Sequence, residues 1–154
     1  MKIYIVRHGS AEQGAVQDQG RKLSARGVQQ AEGAGRWLAQ QIQGKPRLLS
    51  SPYVRTQQTA DSIARQCGLA IETSGLLVPE GDVSQLIDRL SQTEGDAILV
   101  SHLPLVGHLA AMLVDGQMYD QPWSPAEVWI LEGDIAAAGC MTVSGVWYPV
   151  LDGL

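Results

Sequence analysis

Short runs of β-branched and aliphatic residues alternate with helical patterns along most of this chain, and this alternation limits the folds open to it. The strongest runs lie at residues 2–6, 48–50 and 97–100, and two later runs at 128–131 and 141–148 predict a hairpin. Between the first runs, apolar residues recur at the three- and four-residue spacing of amphipathic helices. Strands that alternate with helices favour a mainly parallel sheet. We therefore predict an α/β fold, a three-layer sandwich with helices on both faces of a mainly parallel central sheet.

Capping residues predict the boundaries of four helices. Ser24 suits the N-cap of the first helix, and Gly68 suits the end of the second. Asp82 and Gln85 form a capping box before the third, and Pro104 suits the first turn of the fourth. The apolar face of the first helix is predicted to contain Val28, Ala31, Gly35, Leu38 and Ile42.

The length and net charge of the chain limit the number of domains and the kinds of partner it can have. A chain of 154 residues fits one domain, 1–154. A net charge of -5 is the wrong sign for a protein that mainly grips nucleic-acid phosphates. The apolar run at residues 3–6 is too short for a signal peptide, so we expect a cytoplasmic protein with no membrane partner. The two cysteines lack metal-ligand spacing, and we expect neither a metal nor another cofactor.

Cationic and polar residues follow the three strongest predicted strands. The segments are Arg7-His8-Gly9, Ser51-Pro52 with Arg55, and Ser101-His102. In open parallel sheets, ligands bind beyond the carboxyl ends of the strands. We expect these side chains to form one cationic pocket, with Gly9 allowing a close approach of the backbone.

Such a pocket suits a phosphoryl group. Arginine offers a planar fork to two phosphate oxygens and stays charged throughout the reaction. A neutral imidazole can attack phosphorus directly, and the covalent intermediate divides one slow displacement into two easier ones. Spacing alone leaves open whether His8 or His102 is the attacking group.

Three segments share a motif pattern with a known family. They are Val6-Arg7-His8-Gly9, Ser50-Ser51-Pro52-Tyr53-Val54-Arg55-Thr56-Gln57-Gln58-Thr59-Ala60 and Val100-Ser101-His102-Leu103-Pro104-Leu105-Val106-Gly107. Together they resemble the histidine phosphatase superfamily, and specifically its short SixA-type phosphohistidine phosphatases. The resemblance spans roughly residues 1–114. It implies a phosphoglycerate mutase-like form of the predicted sandwich.

The resemblance also implies a role for each matching residue. His8 would be the nucleophile that becomes phosphorylated, Arg7 and Arg55 would bind the phosphoryl oxygens, and His102 would complete the pocket. Arg21 occupies the place of an arginine found in SixA-type members. The predicted substrate-contact residues are Gly9, Ser10, Arg21, Ser101 and Glu80.

One position departs from the family pattern. Leu76 stands where SixA-type members often have a glutamate, so the usual general acid is absent there. Glu80 and Asp82 lie nearby and could substitute, but a solvated loop charge is the favoured explanation of Glu80, and a helix cap explains Asp82 equally well. An alkoxide leaving group needs a positioned acid, typically worth about 10²- to 10⁴-fold in rate. The imidazole that leaves phosphohistidine is far less basic, so the missing acid favours an N-phosphorylated substrate.

The intervals between the motifs are short and predict an open pocket. An open pocket can admit a phosphohistidine carried on a protein. We therefore expect a phosphorelay or phosphocarrier protein as partner, and a phosphate or sulfate anion as a ligand of the pocket. Two alternatives remain: a broad small-molecule phosphomonoesterase that uses Glu80 as its acid, and a noncatalytic module that binds phosphorylated ligands.

Overall fold

The computed structural model describes residues 1–149, and a single six-stranded sheet runs through them. The strands are β1 (Lys2–Arg7), β2 (Arg47–Ser50), β3 (Ile71–Thr73), β4 (Ala97–Ser101), β5 (Val128–Glu132) and β6 (Thr142–Trp147), and the α-helices are α1 (Ala25–Gln41), α2 (Val54–Cys67), α3 (Val83–Ser91) and α4 (Leu105–Asp115). The spatial order of the strands is β3-β2-β4-β1-β5-β6. The first four of these pair in parallel, while β5 and β6 run antiparallel. The predicted mainly parallel sheet is confirmed.

Side chains of β1 alternate between two apolar layers, as strand geometry requires. Tyr4 and Val6 pack in one cluster with Ala34 and Leu38 of α1 and with residues of α2. Ile3 and Ile5 belong to the other cluster, which contains the apolar faces of α3 and α4. The sheet is thus covered on both faces, and the predicted three-layer sandwich is confirmed.

The predicted helix boundaries are confirmed at their caps. The Ser24 hydroxyl accepts a hydrogen bond from the Gly27 amide, and the Asp82 carboxylate accepts one from the Gln85 amide. Gly68 ends α2 in the left-handed conformation, at φ 69°, which favours glycine. The apolar face of α1 was predicted one turn too long, because Val28 is 41% exposed.

The predicted C-terminal hairpin is confirmed by the pairing of β5 with β6. Trp129 of β5 stacks on Trp123, with ring centroids 4.4 Å apart. Trp147 of β6 stacks instead on Trp37 of α1. The predicted domain extends to residue 154, and its last five residues lie outside the described range. Within residues 1–149, none of the helices has the length and apolar character needed to cross a membrane.

Candidate active site

The ends of β1 and β4 bring His8 and His102 together. These strands are parallel neighbours in which Arg7 lies opposite Ser101. The His8 amide donates to the Ser101 carbonyl at 3.0 Å, which extends the pairing by one residue. The two imidazole rings meet edge to face, with centroids 5.2 Å apart. The predicted juxtaposition of the two strand ends is therefore present.

Arg55 reaches the same place from the first turn of α2. Its guanidinium lies over the ring of Tyr53, 4.9 Å from the centroid, and the Tyr53 ring lies 4.8 Å from that of His102. Two of its nitrogen atoms bind Asp18: Nη1 donates to the carbonyl at 2.8 Å, and Nη2 donates to the carboxylate at 3.1 Å. Although Arg55 is only 5% exposed, its charge is thus balanced by a carboxylate on a loop.

Arg7 is held from the antiparallel side of the sheet. Its Nη1 donates to the Trp123 carbonyl at 2.7 Å. Glu127, only 5% exposed, accepts hydrogen bonds from the Trp129 indole at 2.6 Å and from the Ser124 amide at 2.8 Å. Burial lowers the pKa of the Arg7 guanidinium, and the nearby Glu127 charge opposes that shift. Glu127 therefore stabilises the segment whose Trp123 carbonyl binds Arg7.

The surroundings of His8 fix both its charge and its tautomer. Its Nδ1 lies 2.6 Å from the Gly9 carbonyl, and because a carbonyl only accepts, Nδ1 carries the proton. The lone pair is then on Nε2. Burial is the main reason that the pKa of His8 falls to about 4, and the charges of Arg55, Arg7 and Arg21 lower it further, against the opposing effect of the Gly9 hydrogen bond. The ring is neutral at neutral pH, as nucleophilic attack requires.

His102 is also buried and neutral. Burial, followed by the charge of a protonated His8 and that of Arg55, lowers its pKa to about 3. Its Nε2 lies 2.8 Å from the Ser51 hydroxyl, which also accepts a hydrogen bond from the Tyr53 amide at 3.3 Å. The Ser51 proton is free to point at Nε2, and in that arrangement the His102 proton is on Nδ1.

Buried polar atoms without hydrogen-bond partners concentrate at this site. Among residues 1–149 they are Arg7 Nε, Arg55 Nε, His102 Nδ1 and Tyr4 Oη. Buried polar groups in folded proteins are nearly always hydrogen-bonded, so an unpaired donor calls for an explanation. Three of these four atoms belong to residues that the sequence predicts to bind one phosphoryl group.

Gly9 lies in close contact with the start of α1. Its amide donates to the Thr59 hydroxyl at 3.1 Å, and a Cβ built on it would lie 2.6 Å from the Gly27 carbonyl. The absence of a side chain at Gly9 therefore lets the backbone of α1 approach the His8 loop. The Ser10 amide is likewise occupied, by the Gln30 side chain at 2.8 Å.

The remaining predicted contact residues have different environments. Arg21 shares Asp18 with Arg55, because its Nη1 donates to the other carboxylate oxygen at 3.1 Å. The buried Ser101 hydroxyl donates to the Leu77 carbonyl at 2.6 Å. This hydrogen bond joins β4 to the 3₁₀ turn Gly75–Leu77.

Leu76 occupies the position at which SixA-type members often have a glutamate. The half-buried Leu76 side chain packs against the apolar core instead. Glu80 is exposed, four residues further on. Its charge contributes, after burial, to the raised pKa of Tyr53, so Glu80 lies on the Tyr53 side of the site.

Sequence reasoning missed three residues that organise the site: Asp18, Ser51 and Glu127. Ser51 was noted as part of a motif, but its bond to His102 was not foreseen. Asp18 lies in a polar glycine-containing stretch, and its pairing with two arginines depends on how that loop folds back. Glu127 precedes a predicted strand and carries no signal of burial. Of these three, only Asp18 could have been suspected from the sequence, as an acidic residue near a predicted cationic pocket.

Comparison with known proteins identifies the family of this chain. The pattern of the histidine phosphatase superfamily, branch 1, matches residues 3–78. A phosphohistidine phosphatase SixA homolog of Haemophilus influenzae is 36% identical over 126 residues, which cover 73% of this chain and 77% of that protein. Phosphohistidine phosphatase SixA of Escherichia coli strain K12 is 32% identical over 123 residues, which cover 76% of each chain.

Comparison with solved structures supports the same family. A solved structure of the protein histidine phosphatase SixA complexed with tungstate superposes with a TM-score of 0.83 at 28% identity, covering 96% of this chain and 97% of that one. The chain belongs to the histidine phosphatase superfamily, within its SixA-type group. The resemblance seen in the three motifs is therefore confirmed.

Proposed function

We propose that this protein is a phosphohistidine phosphatase, which removes the phosphoryl group from a phosphohistidine on a partner protein through a covalent phospho-His8 intermediate. The three unpaired nitrogens on Arg7, Arg55 and His102 support this proposal most directly. A phosphoryl group has three non-bridging oxygens, which can accept hydrogen bonds from these donors. The SixA relatives, named as phosphohistidine phosphatases, support the same chemistry.

In the first step, the Nε2 lone pair of His8 attacks phosphorus. A new N–P bond forms while the N–P bond of the substrate breaks. The electron pair of the broken bond stays on the departing imidazole, which leaves as a neutral ring because its other nitrogen carries a proton. Charge on the transferred oxygens is held by Arg7 and Arg55 and by the Nδ1 proton of His102. The Gly9 carbonyl keeps the other His8 nitrogen protonated, so that Nε2 stays aimed as the nucleophile.

In the second step, water attacks the phosphorus of phospho-His8. The O–P bond forms, the N–P bond breaks, and Nε2 regains its lone pair as inorganic phosphate leaves. Neither step expels an alkoxide, so neither needs a strong general acid at the leaving group. The apolar Leu76 in the place of the expected glutamate is compatible with this chemistry.

Trapping the intermediate tests the proposal. The purified protein is mixed with a ³²P-phosphohistidine carrier protein and quenched in alkali after milliseconds to seconds. We expect acid-labile label on His8, none in His8→Ala, and unchanged labelling in His108→Ala, in which a half-buried imidazole bound to Asp120 is removed instead. Turnover without label on His8, or binding without turnover, would contradict the mechanism.

A matched set of substrates separates the proposal from the small-molecule phosphomonoesterase alternative. We expect kcat/KM for the phosphohistidine carrier to exceed that for sugar phosphates, and Glu80→Gln to leave the carrier reaction within about twofold of wild type. A large loss on phosphoesters in Glu80→Gln, combined with efficient ester hydrolysis by wild type, would favour the alternative instead.

A further inference from the structure

Charge is distributed unevenly between the two halves of the chain. Residues 1–67, which contain α1 and α2, include ten Lys and Arg and four Asp and Glu. Residues 68–154, which contain α3 and α4, include one basic residue, Arg89, and twelve Asp and Glu, most of them in strands and loops. The helices themselves differ less: α1 and α2 together carry four basic and two acidic residues, and α3 and α4 on the other face of the sheet carry one basic and two acidic residues.

The basic side chains on the α1 side are available to a partner. Lys22, Arg26 and Arg36 are exposed. Within residues 1–149, no carboxylate oxygen lies within 4.0 Å of the charged nitrogens of these three residues. Exposed charges without partners contribute little to stability, but they set the potential that an approaching molecule meets.

A groove runs along the seam between α1 and α2, and we call it the α1–α2 groove. Its first part is a cavity of about 510 Å³, lined by Leu23, Val28, Pro52, Val54 and Ile71 together with polar residues of α2. Its second part, about 250 Å³, lies between Arg36 and Arg65 and shares Ser62 and Arg65 with the first. Acidic residues line the groove as well, because Asp61 lies in the first part, where it pairs with Arg65, and Glu32 lies in the second part. The groove is therefore apolar at one end and carries both signs of charge at the other, and the excess of positive charge beside it comes from Lys22, Arg26 and Arg36.

The apolar end of the groove adjoins the active site. Pro52 and Val54 flank Tyr53, whose ring lies against both His102 and Arg55. Val28 and Val54 are 41% and 38% exposed, so apolar surface remains uncovered beside the site. A molecule lying in the groove would place its end close to the phosphoryl-binding residues.

We propose that the α1–α2 groove docks an acidic surface of the phosphohistidine-bearing protein, with an apolar side chain of that partner against Val28 and Val54. This inference rests on the proposed function and specifies its substrate class. Complementary charge accelerates encounter and suppresses wrong orientations, typically by about 10- to 1,000-fold in association rate at low salt.

Three substrates and two charge-reversal variants test the docking surface. The substrates are free phosphohistidine and two 20-residue helical peptides with a central phosphohistidine, one with glutamates and the other with lysines at the remaining exposed positions. Arg26→Glu/Arg36→Glu alters the groove side. Lys45→Glu/Arg89→Glu makes the same change in net charge elsewhere, at two exposed residues that have no carboxylate within 4.0 Å in the described part of the chain.

We expect wild type at 50 mM NaCl to prefer the acidic peptide to the basic one by at least about 10-fold in kcat/KM. Arg26→Glu/Arg36→Glu should abolish that preference, mainly through KM, while leaving free phosphohistidine within about twofold. Lys45→Glu/Arg89→Glu should keep the preference. At 500 mM NaCl the preference should largely disappear, because salt screens exposed charges.

The docking surface would be overturned if Arg26→Glu/Arg36→Glu lowered kcat/KM by the same factor for the acidic peptide and for free phosphohistidine. The variant would then damage the active site itself. Failure of wild type on every phosphohistidine substrate would instead overturn the proposed function. In that event, fluorescence anisotropy of the unphosphorylated acidic peptide decides the docking question separately. Tighter binding of a 20-nucleotide RNA than of this peptide would also overturn an acidic protein partner.

Discussion

His8 combines two requirements that oppose each other in water. A nucleophile must keep its lone pair, yet a site for a phosphoryl dianion must be cationic. Burial and three neighbouring guanidinium groups hold the His8 pKa at about 4, while the Gly9 carbonyl fixes the proton on Nδ1. The same positive charges that attract the phosphoryl group therefore also keep the attacking ring neutral.

This predicts the titration of His8. A group whose neutral form is favoured takes up its proton only at lower pH, so His8 should stay neutral at pH 6, where a free histidine is largely protonated. We expect its ring NMR signals to shift with a midpoint near pH 4, with His8→Asn and His108→Asn used for assignment. Saturating inorganic phosphate should raise the midpoint, because the anion stabilises imidazolium. A midpoint at or above 6.5 in phosphate-free buffer would contradict this account.

Ser51 provides a second prediction as a positioning residue. Its hydroxyl lies 2.8 Å from His102 Nε2 and, as donor, keeps the His102 proton on Nδ1. Removing a direct transition-state donor costs about 10²- to 10³-fold. Because Ser51 acts through His102, we expect a smaller loss for Ser51→Ala, about 10-fold in kcat. The ¹⁵N shifts of His102 should report a mixed tautomer in this variant and protonated Nδ1 in wild type.

The control for Ser51 is its neighbour. Ser50 is equally buried, and its hydroxyl donates to the Ser51 carbonyl at 2.9 Å rather than to a histidine. Ser50→Ala should therefore leave the His102 shifts unchanged. Wild-type kcat in Ser51→Ala, or identical His102 shifts in both variants, would remove Ser51 from the positioning network.

Residues of the site differ in how far sequence could predict them. His8, Arg7, Arg55 and His102 follow strand ends or begin a helix, and strand ends of a parallel sheet converge by topology. Their detailed partners could not be predicted, because bonds such as Ser51 to His102 depend on side-chain rotamers. Glu127 was unpredictable for another reason: its burial depends on the antiparallel β5, which has no counterpart among the motif strands.

At the scale of elements, periodicity and caps predicted the strands and helices because both signals are local. The exposure of Val28 shows the limit. Its helical phase is that of the buried residues, but the first turn of α1 lies beside the α1–α2 groove rather than over the sheet. Phase predicts which side of a helix faces inward, whereas the length of the covered stretch depends on where its neighbours end.

The packing of α1 against the first motif gives an element-scale prediction. A Cβ added at Gly27 would lie 2.0 Å from the Ser10 carbonyl oxygen, so the helix start would have to move away from the His8 loop. Gly→Ala inside a helix normally stabilises by up to about 1 kcal/mol. For Gly27→Ala we expect the opposite, a loss of about 1–3 kcal/mol in unfolding free energy, with reduced activity.

Urea unfolding checks both the sign and the size. Gly75→Ala is the matched control, because a Cβ there meets no atom within 4 Å and the backbone does not adopt a positive φ. The control should retain wild-type stability to within about 0.5 kcal/mol. A Gly27→Ala protein as stable as wild type would contradict this prediction, because α1 and the His8 loop could then move apart at little cost in free energy.

At the scale of the whole molecule, the site lies where the parallel and antiparallel parts of the sheet meet. The parallel strands β1 and β4 lead into the two histidines, and β2 leads into α2, which carries Arg55. The segment before the antiparallel β5 supplies the carbonyl that holds Arg7. Two neutral histidines, the half-buried His8 and the fully buried His102, then lie just beyond the carboxyl ends of β1 and β4. Since they ionise freely only when the chain unfolds, their cost appears in the stability of the entire fold.

The pH dependence of stability follows from that cost. Both histidines have folded-state pKa values, about 4 and about 3, below the ordinary value of 6.5. As pH falls through 6.5, the unfolded chain takes up protons that the folded chain does not, so the unfolding free energy should decrease progressively down to about pH 4. Above pH 6.5 these two groups should cause no further change.

Urea unfolding of His8→Gln/His102→Gln beside wild type, in phosphate-free buffer from pH 7 to pH 4.5, isolates this effect. The variant lacks both ionisations, so wild type should lose more stability than the variant on acidification, and the gap between their curves should change steadily below pH 6.5. His108→Gln leaves both buried rings in place and should follow wild type. Parallel curves for wild type and the double variant would mean that His8 and His102 take up protons at the same pH in the folded and the unfolded protein, which would contradict the lowered pKa values of both rings.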